Sequence, residues 1–145
     1  MSVWLAITSY ENWETVKNSN IWGVPIKNSN LLKKVKINDK IIFYVKKRKI
    51  DKNEILSNIP GIFQVISDNF IDETPLFKPP IKTSNEIFPM RIKLKPIKIF
   101  FNPLVFSEHV NRLDFIKNKE KWTGQLQTTM ISIPDKDLEY ILSLN

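Results

Sequence analysis

Most side chains that ordinarily carry catalysis or hold metals are missing or solitary in this chain, and the residues left to meet a ligand are aromatic. There is one histidine, His109, and no cysteine. Disulfides, iron–sulfur ligation, thiol nucleophiles and shared His/Cys metal sites therefore have no ligands, and no metal or cofactor is expected. His109, in Ser107-Glu108-His109-Val110, reads as a solvated helix residue. A Ser-His-Asp hydrolase has no Gly-x-Ser-x-Gly to support it. The three glycines, Gly23, Gly61 and Gly124, are too far apart to build a phosphate-cradling loop. Asp72-Glu73 reads as a loop turn and Asp135-x-Asp137 as a helix start, so no catalytic carboxylate pair follows. Of the four tryptophans, Trp4 and Trp13 suit a strand core and a helix face, whereas Trp22 and Trp122 stand in turn-rich stretches beside a glycine. Loop-borne indoles of this kind can stack on a planar base, at roughly 1–3 kcal/mol per stack, while neighbouring polar groups read its edge. The competing reading of Trp22 is a structural plug under a loop.

Charge supplies the second signal. Twenty-two basic residues against fifteen acidic ones give +7, with a pI near 9.6, which draws the surface toward polyanions. A Lys- and Asn-rich composition set by codon usage and solubility would give the same balance. The densest cluster is Lys46-Lys47-Arg48-Lys49. With 42% hydrophobic and 26% charged residues the composition is that of a globular protein, not of a disordered or low-complexity one. Charged residues interrupt every apolar run before the roughly 18 to 20 residues a membrane span needs. The opening Met1-Ser2-Val3-Trp4 lacks a basic n-region and a cleavable apolar segment, so a soluble, cytoplasmic protein is expected. A length of 145 residues leaves no room for a second self-sufficient core, and one domain over 1–145 is expected.

The elements that must position these residues follow from the apolar patterning. Val3 to Ile7 reads as a buried strand, and Thr8-Ser9 leads into a short surface helix over Glu11–Asn18 with Trp13 and Val16 on one face. Ile21-Trp22-Gly23-Val24-Pro25 reads as an irregular stretch that presents Trp22 from a loop. Leu31, Leu32 and Val35 cover one helical turn, and Ile37-Asn38-Asp39-Lys40 turns into a second strand, Ile41–Val45. Pro60-Gly61 opens a strand at Ile62–Ile66, with Gly61 free of a side chain where a ligand could come close. Residues 72 to 89, carrying Pro75, Pro79, Pro80 and Pro89, read as one long surface loop. Met90, Ile92 and Leu94 alternate with Arg91, Lys93 and Lys95 as a half-exposed strand with a basic outer face. The parity slips at Pro96, after which Ile97 and Ile99 carry the apolar face, as at a bulge on an edge or a barrel corner. A last helix from Pro134 buries Leu138, Ile141 and Leu142. The pattern implies an α+β fold, a small mixed barrel flanked by short helices.

The string Trp4-Leu5-Ala6-Ile7-Thr8-Ser9-Tyr10-Glu11-Asn12-Trp13, followed by Trp22-Gly23-Val24-Pro25, resembles the opening of the EVE domain in its small prokaryotic branch. Later pieces match in order: Val35 to Lys40 running into Phe43-Tyr44, Pro60-Gly61-Ile62-Phe63, Asp72 to Phe77, Phe88 to Ile92, and Leu113 to Trp122. The resemblance implies a PUA-like mixed β pseudo-barrel, related to the YTH domains that read methylated adenine in RNA. It also implies a non-enzymatic pocket for a modified or unpaired base in DNA or RNA. Carried over by position, Trp22 is one pocket wall, Ser9 faces the base edge with Asn12 one turn on in the same pocket, and Tyr44, Pro60 and Gly61 line the floor. Phe88, Pro89 and Met90 stand where YTH relatives supply a second wall, without the tryptophan of a full aromatic cage. Asn38 replaces the family's usual turn glycine, and Asn tolerates positive φ better than most residues.

Lys27, Lys46, Lys47, Arg48 and Arg91 are the side chains expected to hold backbone phosphates without reading sequence. Extruding a paired base costs a few kcal/mol, so single-stranded, damaged or mismatched sites are expected to be preferred. Three other readings suit the same residues: a small-molecule binder taking a free nucleoside, a base-processing enzyme using Asp72 or Glu73, and an adaptor for a partner protein.

Overall fold

A computed structural model describes residues 1–79 and 84–144. Strand β1 (Val3–Thr8) is apolar nearly throughout and buried along its whole length. Ser9 then stops it and caps helix α1 (Tyr10–Ser19), its Oγ accepting the amide of Asn12 at 3.2 Å. The helix ends where Asn20 adopts left-handed backbone. After it come β2 (Ile21–Val24), a 3-10 turn (Ile26–Asn28), the one-turn helix α2 (Ser29–Leu32) and β3 (Lys40–Val45). A detached hairpin, β4 (Arg48–Ile50) with β5 (Asn53–Ile55), precedes β6 (Asn58–Val65) and the short β7 (Phe70–Ile71). The long β8 (Met90–Val105), three 3-10 turns, β9 (Met130–Ile133) and helix α3 (Asp135–Leu142) complete the described chain.

The main sheet runs β2-β8-β6-β3-β1-β9 and curls into a half-barrel. β1 and β3 are parallel neighbours, and every other ladder is antiparallel. Two devices bend the sheet. Pro60 pairs with neither neighbour, because the β8 ladder breaks between Ile59 and Gly61 and the β3 ladder between Asn58 and Gly61, where a residue without an N–H costs nothing. A second slip leaves Ile97 unpaired beside Pro96, the bulge expected from the sequence. Ile97 and Ile99 do not carry the apolar face beyond it: they are 41% and 44% exposed, and Phe100 turns inward instead.

Alternation along β1 and β3 divides the interior between two faces of the sheet. Trp4, Ala6, Ile41 and Phe43 point to one, where Trp13, Trp22 and Phe63 pack. Leu5, Ile7, Ile42 and Tyr44 point to the other, beneath Phe106, Leu113, Leu126 and helix α3. In that helix Ile141 is buried and Leu142 stays largely at the surface. His109 is not a solvated helix residue; it joins two 3-10 turns, half-buried, with Nδ1 2.7 Å from the Tyr140 hydroxyl.

The turn into β3 is held by Asp39, which is 2% exposed. Its carboxylate accepts the Ser2 amide at 2.9 Å, the Lys36 amide at 2.9 Å and the Trp4 indole N–H at 3.1 Å. Asn38 takes φ of 78° in the same turn, so asparagine forms it without glycine. Asp39→Ala removes the two oxygens that accept these three bonds, one of them buried and two part-buried. Its urea midpoint is expected to fall by the equivalent of about 3 kcal/mol with an unchanged m-value, measured by equilibrium unfolding.

Candidate functional site

A cavity of about 1110 Å³ opens where the parallel strands β1 and β3 end side by side. Ile7 and Thr8 of the first strand and Ser9 just past it border the cavity, with Tyr44 of the second and Lys46 and Lys47 just past its end. One wall is Trp22, Gly23, Phe77 and Phe88; another is Trp122, Thr123, Leu126 and Gln127. Lys27, Asn28 and Glu54 add polar groups to the lining.

Trp22 is not presented by a loop. It belongs to β2, opposite Ile92, and is 3% exposed, with its ring edge-on to Phe43 at 5.8 Å. Gly23 does not break this strand, because its missing side chain makes room for a neighbour. A Cβ there would lie 2.6 Å from the Phe88 carbonyl oxygen and 3.1 Å from both Arg91 Cγ and Phe77 Cε2. Nor are the described residues of the 72–89 segment, 72–79 and 84–89, only a surface loop; Pro80 lies outside them. Phe77 turns inward to 6% exposure and meets Phe88 edge-on at 6.0 Å. Phe88 holds φ of 53°, costly for a bulky residue, with its amide donating to Glu86 at 2.9 Å.

Two polar clamps hold these aromatics. Arg91, expected at the surface among the phosphate contacts, is fully buried. Its Nε donates to Phe88 O at 3.0 Å, Nη1 to Thr74 Oγ1 at 3.0 Å, and Nη2 to Ile87 O at 3.1 Å and to Thr74 O. Asp72 lies 3.4 Å from Nη1. A guanidinium has several donors and no acceptor, so carbonyl-rich chain satisfies it better than solvent on a closed face. The second clamp is Asn12, whose amide accepts from Lys78 N at 2.7 Å and donates to Lys78 O at 2.9 Å. Asn12 borders the cavity, yet its hydrogen-bonding edge faces the loop. Ser9 keeps its hydroxyl proton available while its oxygen caps α1.

Tyr44 is 6% exposed, and burial raises its pKa against a smaller opposing effect of the Ser57 hydrogen bond, keeping the phenol neutral at ordinary pH. Lys27, Lys46 and Lys47 are exposed at the cavity. Arg48 instead stacks 3.4 Å over the Tyr10 ring, which pins the basic hairpin to α1.

Pro60, Gly61, Pro89, Met90 and Arg91 do not border the cavity. The close approach at Gly61 is made by Trp13, whose Cη2 lies 2.8 Å from where a Cβ would stand. Pro89 is buried with its carbonyl accepting Asp72 N at 2.8 Å, and Met90 lines a separate depression of about 620 Å³ with Glu73. Asp72 holds the Thr74 backbone and hydroxyl at 2.9 and 2.8 Å, so neither carboxylate of the 72–73 pair reaches the cavity. Phe77, Gln127 and Thr128 are cavity residues that sequence reasoning missed, since no periodicity marks either segment.

A curled α+β half-barrel of the PUA-like kind, with an aromatic-walled cavity at its strand ends, is the class that this fold and site define. The chain belongs to the EVE domain family, whose model matches residues 2–144. A UPF0310 protein of Pyrococcus abyssi is 44% identical over 99% of both chains. One of Saccharolobus solfataricus is 24% identical over 97% of this chain and 93% of its own. Human THYN1 in complex with 5-methylcytosine-containing DNA has a similar fold, with a TM-score of 0.61 and 17% identity, covering 99% of this chain and 96% of that one. The Mmi1 YTH domain in complex with RNA gives a TM-score of 0.64 and 17% identity, covering 98% and 76%.

The clamps make two predictions. Arg91→Met leaves three part-buried carbonyls without their donor, so stability is expected to drop by about 3 kcal/mol, and amides of 72–79 and 84–88 to exchange faster by mass spectrometry. The backbone bond from Thr74, then its hydroxyl, holds the Asp72 carboxyl below the ordinary carboxylate range, with a smaller contribution from Arg91. Its contribution to stability is therefore complete above that range and lost as the pH falls through and below it. Asp72→Asn is expected to melt below wild type at neutral pH and together with it in strong acid; a constant difference across pH would refute the assignment.

Proposed function

We propose that this protein binds nucleic acid and holds one unpaired or flipped base in the cavity, against Trp22, Phe77 and Phe88, without catalysing a reaction on it. The observation that carries this reading is an aromatic wall and a set of exposed lysines on one cavity, in a chain of net charge +7. The same fold occurs in proteins whose solved complexes contain 5-methylcytosine DNA or RNA. Buried aromatic surface accepts a planar base of any sequence. A methyl group on that base adds about 0.8 kcal/mol of apolar burial, which favours a modified base over its parent. The polar edge would meet the Ser9 hydroxyl at the end of β1. Lys27, Lys46 and Lys47 would neutralise phosphates, and Arg48, directly after two of them in the chain, would hold that segment against Tyr10.

Binding is favoured over turnover because the cavity gathers no acid–base constellation among the described residues. Glu54, exposed, is the carboxylate bordering it, and Asp72 and Glu73 lie elsewhere. A free nucleoside as ligand predicts the same pocket and no phosphate dependence, so salt separates the two readings.

Tryptophan fluorescence titrations with nucleosides and short single-stranded DNA and RNA, each bearing one modified base, test the reading. Wild type is expected to prefer one modification. The double variant Lys46→Gln/Lys47→Gln is expected to weaken oligonucleotide binding and flatten the logarithmic salt slope by about 1.4, leaving nucleoside affinity unchanged. Trp22→Leu, confirmed folded by its melting curve, is expected to lose base preference. Absence of binding to any oligonucleotide overturns the proposal, and salt-independent nucleoside binding replaces it with the metabolite reading.

A further inference from the structure

The cavity has two aromatic walls, and they belong to different sides of the sheet. Trp22, Phe77 and Phe88 pack with Ala6 and Phe43. Trp122 and Leu126 pack with Ile7, Tyr44 and Phe106 across the sheet. The ends of β1 and β3 lie between them, with the Lys46 amide donating to Thr8 O at 3.0 Å. One planar base stacked at the first wall cannot also stack at the second. At about 1110 Å³ the cavity also exceeds the roughly 300–1,000 Å³ typical of a pocket for one drug-sized ligand.

The second wall leaves part of an indole and several polar side chains open to the cavity. Trp122 is only half-buried and is backed by Phe106, ring centroids 5.2 Å apart. Its segment is held from beneath by Gln125, which accepts from Lys117 N at 3.0 Å and donates to Phe115 O. Thr129 Oγ1 donates to Asn28 Oδ1 at 3.2 Å, tying this wall to the turn that carries Lys27. Between these anchors Gln127 and Thr128 are exposed on the cavity, and their side chains make no hydrogen bond among the described residues. An amide beside an indole offers a donor and an acceptor at the edge of a stacked base.

We propose that the cavity takes two consecutive nucleotides, the second stacked on Trp122 with its edge met by Gln127 and Thr128, and the phosphate between them held by Lys46. This rests on the base-binding reading above and adds to it a flanking-nucleotide subsite, hence a preference for sequence context. The probes are six nucleoside monophosphates, the four ordinary ones with 5-methylcytosine and N6-methyladenine, and dinucleotides made by adding thymidine to either side.

For the best-bound base, one of the two dinucleotides is expected to bind about 10-fold or more tighter than its monophosphate. That gain is expected to fall below about 3-fold in Gln127→Ala/Thr128→Val, whose positions are exposed, and in Trp122→Leu, with monophosphate affinity unchanged. No gain on adding either flank, or the same gain in both variants, overturns the second subsite alone, provided monophosphate binding is weakened by Trp22→Leu. If neither monophosphates nor dinucleotides bind, both the subsite and the base-binding reading fall.

Discussion

The buried guanidinium of Arg91 is the interaction on which the candidate site depends. It lies on β8 directly opposite Gly23, and it takes carbonyl oxygens from Thr74, Ile87 and Phe88. A chain segment rich in proline and poor in periodic apolar residues has no ladder to satisfy its carbonyls. Arg91 supplies the donors, and that fixes where Phe77 and Phe88 stand. Gly23 completes the arrangement from the other side, since any side chain there would meet the Phe88 carbonyl. The charge is compensated by Asp72, itself held by Thr74, so the cation and the aromatics form one cooperative unit.

A second constraint is the parity of two parallel strands. Successive side chains of β1 and β3 go to opposite faces, so the residues at their ends meet both interiors. An opening at those ends inherits aromatics from each side and polar backbone between them. The turn before β3 fixes that geometry, because Asp39 joins the chain start, Trp4 and Lys36 in one polar knot. Register between β1 and β3 is thereby set at the end opposite the cavity.

Much of this fold was legible in the sequence because it rests on local rules. Continuous apolar runs marked β1 and β3, the Ser9 cap marked the start of α1, and the slip at Pro96 marked a real bulge. Where pattern failed, long-range chemistry had overridden it. Arg91 alternates as a surface residue would, and only the loop folded over it explains its burial. Trp22-Gly23 looks irregular until the close approach of Phe88 shows why a strand needs glycine there. Gly61 carried the same signature of an open backbone, but the neighbour is Trp13 from α1 and not a ligand. A glycine in a sequence announces that something comes close; it does not say what.

The same distinction governs the basic residues. Charge counts alone place Arg48 and Arg91 among the phosphate contacts, yet the structure uses both planar guanidiniums internally, one over an aromatic ring and one among carbonyls. The cavity's cations are lysines instead: Lys27, Lys46 and Lys47. That division is physical, because a guanidinium offers a rigid fork that satisfies several fixed acceptors, whereas an ammonium on a long flexible stem adapts to a moving anion. Arg48 and Arg91 hold the structure around the site, and the lysines stay exposed on its lining. On the base-binding reading proposed above, selectivity would rest on shape and on the neutral hydroxyl and amide groups of the cavity walls.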